Sequence, residues 1–294
     1  MEIFGISTQA LFGQLLIGLG NGSFYALLSL GLAVIFGLLN IVNFAHGAQY
    51  MMGAFVAYML LNLFGIGYWW SLAIAPVVVG ATGVLIERTM LARLYKLDHL
   101  YGLLLTFGLA LIIQGLFRNE FGSTGLPYQT PAQLTGAQNL GFMFLPNYRA
   151  WVVVASLVVC LSTWYVIERT KLGAYLRAAT ENPQLVQAFG INVPRMITLT
   201  CGFGVGLAGL AGVMAAPIYQ VSPLMGADLI IVVFAVVVIG GMGSIMGSIV
   251  TGFGLGLIEG LTKVFYPEAS NTVIFVIMAI VLLVKPAGLF GTQK

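Results

Sequence analysis

Few side chains in this 294-residue chain could do chemistry, and their spacing points away from an enzyme. His46 and His99 are the only histidines, and they are not paired at metal-ligand spacing. The patterns GxSxG, HExxH and CxxC are all absent, so neither a membrane protease nor a metal enzyme has its equipment here. The Gly-rich run at 240–248, GGMGSIMGS, lacks the Lys-Ser/Thr ending of a phosphate loop, so the chain does not hydrolyse ATP by itself, and no cofactor is expected. What remains is polar residues in apolar surroundings. Asn40, Asn43, His46 and Gln49, with Gly47 among them, interrupt a greasy region. Polar or unwound backbone at membrane depth survives only where protein or water covers it. The segment therefore reads either as part of a translocation path or a helix contact beside it, or as a polar turn at the cytoplasmic surface. Acids within a membrane are functional candidates by default, but Glu259 stands four residues before Lys263, the favourable order for a local helical ion pair.

The elements that must position these residues follow from the composition. With 60% hydrophobic and 7% charged residues, the chain cannot be an ordinary soluble domain, where about a quarter of residues are charged. Apolar runs of ~20 residues recur, each long enough for a ~30 Å hydrocarbon core. They are continuous rather than alternating, which argues against a membrane barrel. The expected fold is an all-α polytopic membrane protein with about 8–9 transmembrane helices and Gly-rich breaks, forming a single transmembrane domain over 1–294. Apolar stretches lie at 9–38 (interrupted by Gly20-Asn21-Gly22), 50–64, 69–87, 101–117, 150–167, 196–217, 229–265 (split around Gly240–Gly247) and 271–285. Cys160 and Cys201 fall inside apolar runs and read as buried small hydrophobes. No basic and aromatic cluster suggests nucleic acid. The N-terminus carries no Lys or Arg ahead of its apolar run, a poor fit to a cleavable signal peptide.

Basic residues near span ends set the orientation. Arg88, Arg93, Lys96, Arg169, Lys171, Arg177, Arg195, Lys285 and Lys294 fall on one side, against Arg118, Arg149 and Lys263 on the other. That majority places the polar loop 168–195 and the C-terminus in the cytoplasm and the loop 118–149 outside. Nine spans put the N-terminus outside; eight, with one re-entrant stretch, is the alternative. Glycines cluster in 202–212 and 240–260, where small residues let helices approach closely. Gly240, Gly241, Gly243 and Gly247 are also candidates to flex in gating. A weak internal echo links Met52–Val56 with Met246–Val250.

The longest hydrophilic segment, 168–195, contains a short helix signalled at both ends. Asn182 is a good N-cap, Pro183 suits the first helical position, and Gly190 can close the helix in the left-handed conformation. Between them Leu185, Val186 and Phe189 form an apolar face with little local core to bury it. The expected cover is a partner protein; the alternatives are an interfacial helix on lipid or a plain ordered loop.

With these residues in view, the chain resembles the LivH-type permease subunits of branched-chain amino acid ABC importers over nearly its whole length. The resemblance rests on Ile41–Tyr50 (IVNFAHGAQY) with the following MMGAFVAY, on AATENPQLVQAFGINVPR ending at Arg195, and on the Gly-rich stretch Val238–Gly260. It implies a bilayer-embedded permease in a bacterial inner membrane, working with a second, LivM-like permease, two LivG/LivF-like ATPases and an external solute-binding protein. It also implies that the helix over Glu181–Gly190 (Glu181, Asn182, Pro183, Leu185, Val186, Phe189, Gly190) couples to the ATPase, and that branched-chain or other neutral, hydrophobic amino acids are carried. Gln49 stands where such permeases usually carry an acid, so a solute assignment resting on charge there does not transfer. The alternative class is a self-sufficient secondary carrier or channel for a small neutral solute such as urea or a short amide.

Overall fold

The computed structural model describes residues 2–3, 6–39, 42–95 and 97–291. Asn40, Ile41, Lys96 and Lys294, which entered the sequence reading, lie outside the described residues. The chain is helical because lipid offers no partner to a backbone N–H or C=O, and a helix pairs both within one segment. Seven helices among the described residues are long and apolar enough to cross a membrane, and two shorter apolar helices accompany them. In chain order they begin with α1 (Thr8–Leu39), α2 (Ala45–Phe64), α3 (Tyr68–Thr89), α4 (His99–Phe121) and α5 (Asn147–Arg169). Two helices follow outside the apolar runs, α6 (Lys171–Glu181) and α7 (Pro183–Ala188), and then α8 (Val193–Ala215), α9 (Met225–Gly240), α10 (Ile245–Phe265) and α11 (Val273–Val284).

Three sequence expectations need correction. Gly20-Asn21-Gly22 does not interrupt the first apolar stretch, because α1 runs unbroken for 32 residues. The polar segment at 40–49 is not a break throughout, since α2 already begins at Ala45 and takes His46, Gly47 and Gln49 into its first turns. The polar loop holds two helices rather than one.

The chain forms two compact units. One takes its described residues from Met1–Ser29, Thr130–Leu161 and Val232–Lys294. In it, glycines of α1 and α10 bring the two backbones together: a Cβ on Gly18 would lie 2.4 Å from the Gly256 carbonyl oxygen. Tyr25 Oη donates to Glu259 Oε2 at 2.6 Å, and Lys263 donates to the other carboxylate oxygen, so the expected local ion pair is present with a tyrosine added. Two short antiparallel ribbons, β1 (Glu2–Ile3) with β2 (Ile6–Ser7) and β3 (Ala137–Asn139) with β4 (Phe144–Pro146), complete it.

The other unit comprises Leu30–Gln129 and Ser162–Ile231. Here α8 packs along both α2 and α3. The contacts are glycine on backbone: Gly53 meets Gly209, Gly212 meets the Tyr50 carbonyl and Gly80 meets the Gly202 carbonyl. Small residues let membrane helices approach this closely, and packing then replaces the hydrophobic driving force that lipid does not supply. Cys201 of α8 is buried in this unit and Cys160 in the other.

Candidate functional site

The hydrophilic stretch after α5 builds its own small platform. Gly173 in α6 sits against the Ile167 carbonyl oxygen, where a Cβ would be 1.6 Å away, so α6 folds back tightly from α5. Arg177 holds that corner, donating to the Ile167 carbonyl at 2.9 Å and pairing with Glu168 at 3.4 Å. After Glu181 ends α6, the Asn182 side chain accepts from Leu185 N at 2.9 Å and opens α7. Gly190, at φ +84°, closes it in the left-handed region, donating to the Gln187 carbonyl. Asn192 repeats the device three residues before Arg195, accepting from its N–H at 3.1 Å to open α8. Both caps and Pro183 stand as their residue types predict.

The expected apolar face is split. Val186, 7% exposed, is buried with Leu176 and Ala179 of α6 and with Val193 and Met196 of α8. Leu185 and Phe189 are 54% and 77% exposed. The platform therefore has a local core that the sequence reading did not grant it. α6 supplies that core and also exposes Leu172 and Tyr175. The result is a rigidly rooted helix presenting two large apolar side chains.

A feature missed from sequence lies where α8 leaves this platform. Glu87, near the end of α3, is 3% exposed. Thr198 Oγ1 of α8 donates to its Oε2 at 2.7 Å, and Tyr95 Oη, from the segment between α3 and α4, donates to its Oε1 at 2.6 Å. Burial above all, then the hydrogen bond and proximity of Glu87, raise the Tyr95 phenol above its ordinary range. In sequence Glu87 reads as part of a charged span end beside Arg88. The available signal was spacing, because Gly80, Gly83 and Glu87 share the buried face of α3.

The described polar residues around the start of α2 are enclosed rather than exposed. Asn43 and Gln49 are both buried, and Asn43 Nδ2 donates to Gln49 Oε1 at 3.2 Å. Thr106 of α4 accepts from Phe44 N and donates to the Val42 carbonyl, each at 3.2 Å, and so ties the entry to α2 onto α4. His46 is fully buried against Gly31, where a Cβ would meet its imidazole at about 3 Å. Gly47 faces the other way, its Cβ position 2.5 Å from the Gly226 carbonyl oxygen. Beside Gly47 is a cavity of about 270 Å³. Its buried floor is Gly47, Ala48, Ala110, Gly226 and Ile230, and Gln114 is its one polar side chain. That volume lies near the lower edge of small-molecule pockets, about 300–1,000 Å³.

The remaining candidates form a tight turn between α9 and α10. Gly241 and Gly243 take φ of +103° and +86°. Gly240 and Gly247 face each other, with 2.3 Å from a Cβ on Gly247 to the Gly240 carbonyl oxygen, and Ser244 Oγ accepts from Gly247 N at 3.1 Å. Leu289 and Phe290 donate to the Ile239 and Gly240 carbonyls, so the chain near its end satisfies the C-terminal carbonyls of α9. Among the described residues there is no group of His, Cys, Asp and Glu able to hold a metal.

Comparison with known proteins gives a consistent result. Residues 14–282 match the family model described as branched-chain amino acid transport system, permease component. The high-affinity branched-chain amino acid transport system permease protein LivH of Escherichia coli K12 is 30% identical, with 96% of each chain covered. BraD, the corresponding permease protein of Pseudomonas aeruginosa, is 29% identical over 96% of each chain. The permease protein LivM of Escherichia coli K12 is 29% identical, covering 92% of this chain and 68% of LivM. No solved structure matches this chain.

Proposed function

We infer the role of this chain from its family: it belongs to the permease components of branched-chain amino acid transport systems. It is a multi-pass membrane protein and a transport permease rather than an enzyme. We propose that it is one of two permease subunits in an ABC importer of a bacterial inner membrane, paired with a LivM-like subunit. Separate LivG/LivF-like ATPases drive it, and an external binding protein delivers branched-chain or other neutral, hydrophobic amino acids. The family gives no support to the alternative of a self-sufficient carrier or channel.

The observation that carries this reading is α7. Its caps and buried Val186 fix it in place, while Leu185 and Phe189 remain uncovered by this chain. We assign the ATPase contact to that surface, within Glu181–Gly190. The bias of basic residues at span ends supports taking Arg88, Arg169, Arg195 and Lys285 as cytoplasmic. On that reading we assign α6, α7 and the C-terminus to the cytoplasm. The cavity beside Gly47 is apolar and uncharged, so what it suits is the hydrophobic side chain of such a solute and not its charged ammonium and carboxylate. A path through such a lining suits solutes already selected outside, since tight binding on the way would slow release.

The test is affinity purification of this chain from native membranes in mild detergent. Recovery of ATPase subunits and a second permease is the expected result. A preparation of this chain alone that still transports would overturn the reading.

A further inference from the structure

The contacts that hold α8 against α3 are of two kinds. Along most of their length glycine meets backbone or valine, as at Gly80 with Gly202 and Gly83 with Val205. Such contacts are close but non-directional. Near the end of α3 the contact changes to a buried carboxyl with two directional hydrogen bonds, Thr198 to Glu87 and Tyr95 to Glu87. A carboxyl is among the costliest groups to bury, and helix packing alone does not call for one. Its two oxygens each take a separate donor, one from α8 and one from the segment leading to α4.

The position matters as much as the chemistry. Val186 of α7 packs in one cluster with Val193 and Met196, in the first turn of α8. Thr198 follows two residues later. A displacement of α7 therefore reaches α8 through packed side chains, and Thr198 is where α8 is tied to α3.

We propose that Glu87 is the positioning residue that transmits movement of α7 into the membrane helices, by locking α8 to α3 and to the α3–α4 connection through Thr198 and Tyr95. The proposal rests on the reading of α7 as the ATPase contact. Without Glu87 the glycine-lined seam lets α8 respond to α7 while α3 stays behind, so ATP is spent without solute movement.

The experiment uses the purified importer complex in proteoliposomes and reads solute transported per ATP hydrolysed, together with ATPase subunits recovered per permease. For Glu87→Gln the recovery stays at the wild-type level and the transport ratio falls about tenfold, the worth of one strong hydrogen bond. Tyr95→Phe and Thr198→Val each lower the ratio, whereas Thr198→Ser, which keeps the hydroxyl, retains it. A wild-type ratio in Glu87→Gln overturns the proposal; should that variant fail to insert, wild-type ratios in both Tyr95→Phe and Thr198→Val do so. Equal losses in Thr198→Ser and Thr198→Val also overturn it, because packing rather than the hydroxyl would then be responsible. Absence of ATPase subunits from the wild-type preparation sinks the α7 reading and the transmission role together. Their presence with an unchanged ratio in Glu87→Gln sinks the transmission role alone.

Discussion

Gly53 of α2 and Gly209 of α8 touch backbone to backbone: a Cβ on Gly53 would lie 2.1 Å from the Gly209 carbonyl oxygen. Backbone cannot yield as a side-chain tip can, so Gly53→Val must push the two helices apart. Overpacking of this kind costs about 1–3 kcal/mol. The expected outcome is a lowered unfolding temperature in detergent and reduced yield. Gly108→Ala and Gly115→Ala in α4, where an added Cβ meets nothing within 4 Å, serve as controls and remain near wild type.

Val186 of α7 and Phe189, the residue that follows α7, are three positions apart but lie in opposite environments, and aspartate should act differently at each. Phe189→Asp leaves the chain inserted and as stable as wild type, yet reduces ATPase recovery and uncouples ATP hydrolysis from transport. Val186→Asp places a carboxylate among Leu176, Val193 and Met196, a burial that costs several kcal/mol unless paired. Proteolysis should then cut within 171–198 in Val186→Asp and not in Phe189→Asp. Normal transport by Phe189→Asp would remove the docking surface from the account.

Most of the residues lining the floor of the cavity beside Gly47 are small, so its size is adjustable from Ala110. Ala110→Leu fills it from α4. Uptake of the larger aliphatic amino acids should fall relative to alanine or valine, with insertion unchanged. One methylene is worth about 0.8 kcal/mol in an apolar site, so severalfold changes in relative uptake are the expected scale. Identical solute preferences in Ala110→Leu and wild type would separate this cavity from the path.

Asn182 and Asn192 cap α7 and α8 through single hydrogen bonds of 2.9 and 3.1 Å. Replacing either by Ala should cost about 0.5–2 kcal/mol of local helix stability. Amide hydrogen exchange over 183–198 is the measurement, with faster exchange confined to the helix whose cap is lost.

Tyr95 supplies the sign of a pH dependence. Burial and Glu87 favour its neutral phenol in the folded protein, raising it above the ordinary value of 10.0. The stabilisation is therefore fully present below pH 10 and is lost only as the pH rises through the higher folded value. Tyrosinate absorbance of wild type minus Tyr95→Phe should show no titration up to pH 10. A difference signal at or below that pH would mean that the phenol is neither buried nor held by Glu87.

Residue type and spacing determined much of this protein. Continuous apolar runs dictate helices in lipid, and Asn182, Pro183 and Gly190 mark the bounds of α7, because caps are local interactions between a side chain and the backbone a few residues away. The same locality made the Glu259–Lys263 pair legible. What only the tertiary structure decided were relations between distant segments. Gly20 and Gly22 read as a break, but they lie within an unbroken α1, where a Cβ on Gly22 would come within 3.0 Å of Phe253 in α10. Val186 reads as exposed until α6 and α8 are folded beside it. Glu87 reads as a charge at a span end until Thr198, 111 residues later, donates to it. Local pattern carries no information about which distant helix fills a groove, and in lipid, where apolar faces gain little by choosing one another, shape and directional hydrogen bonds make that choice.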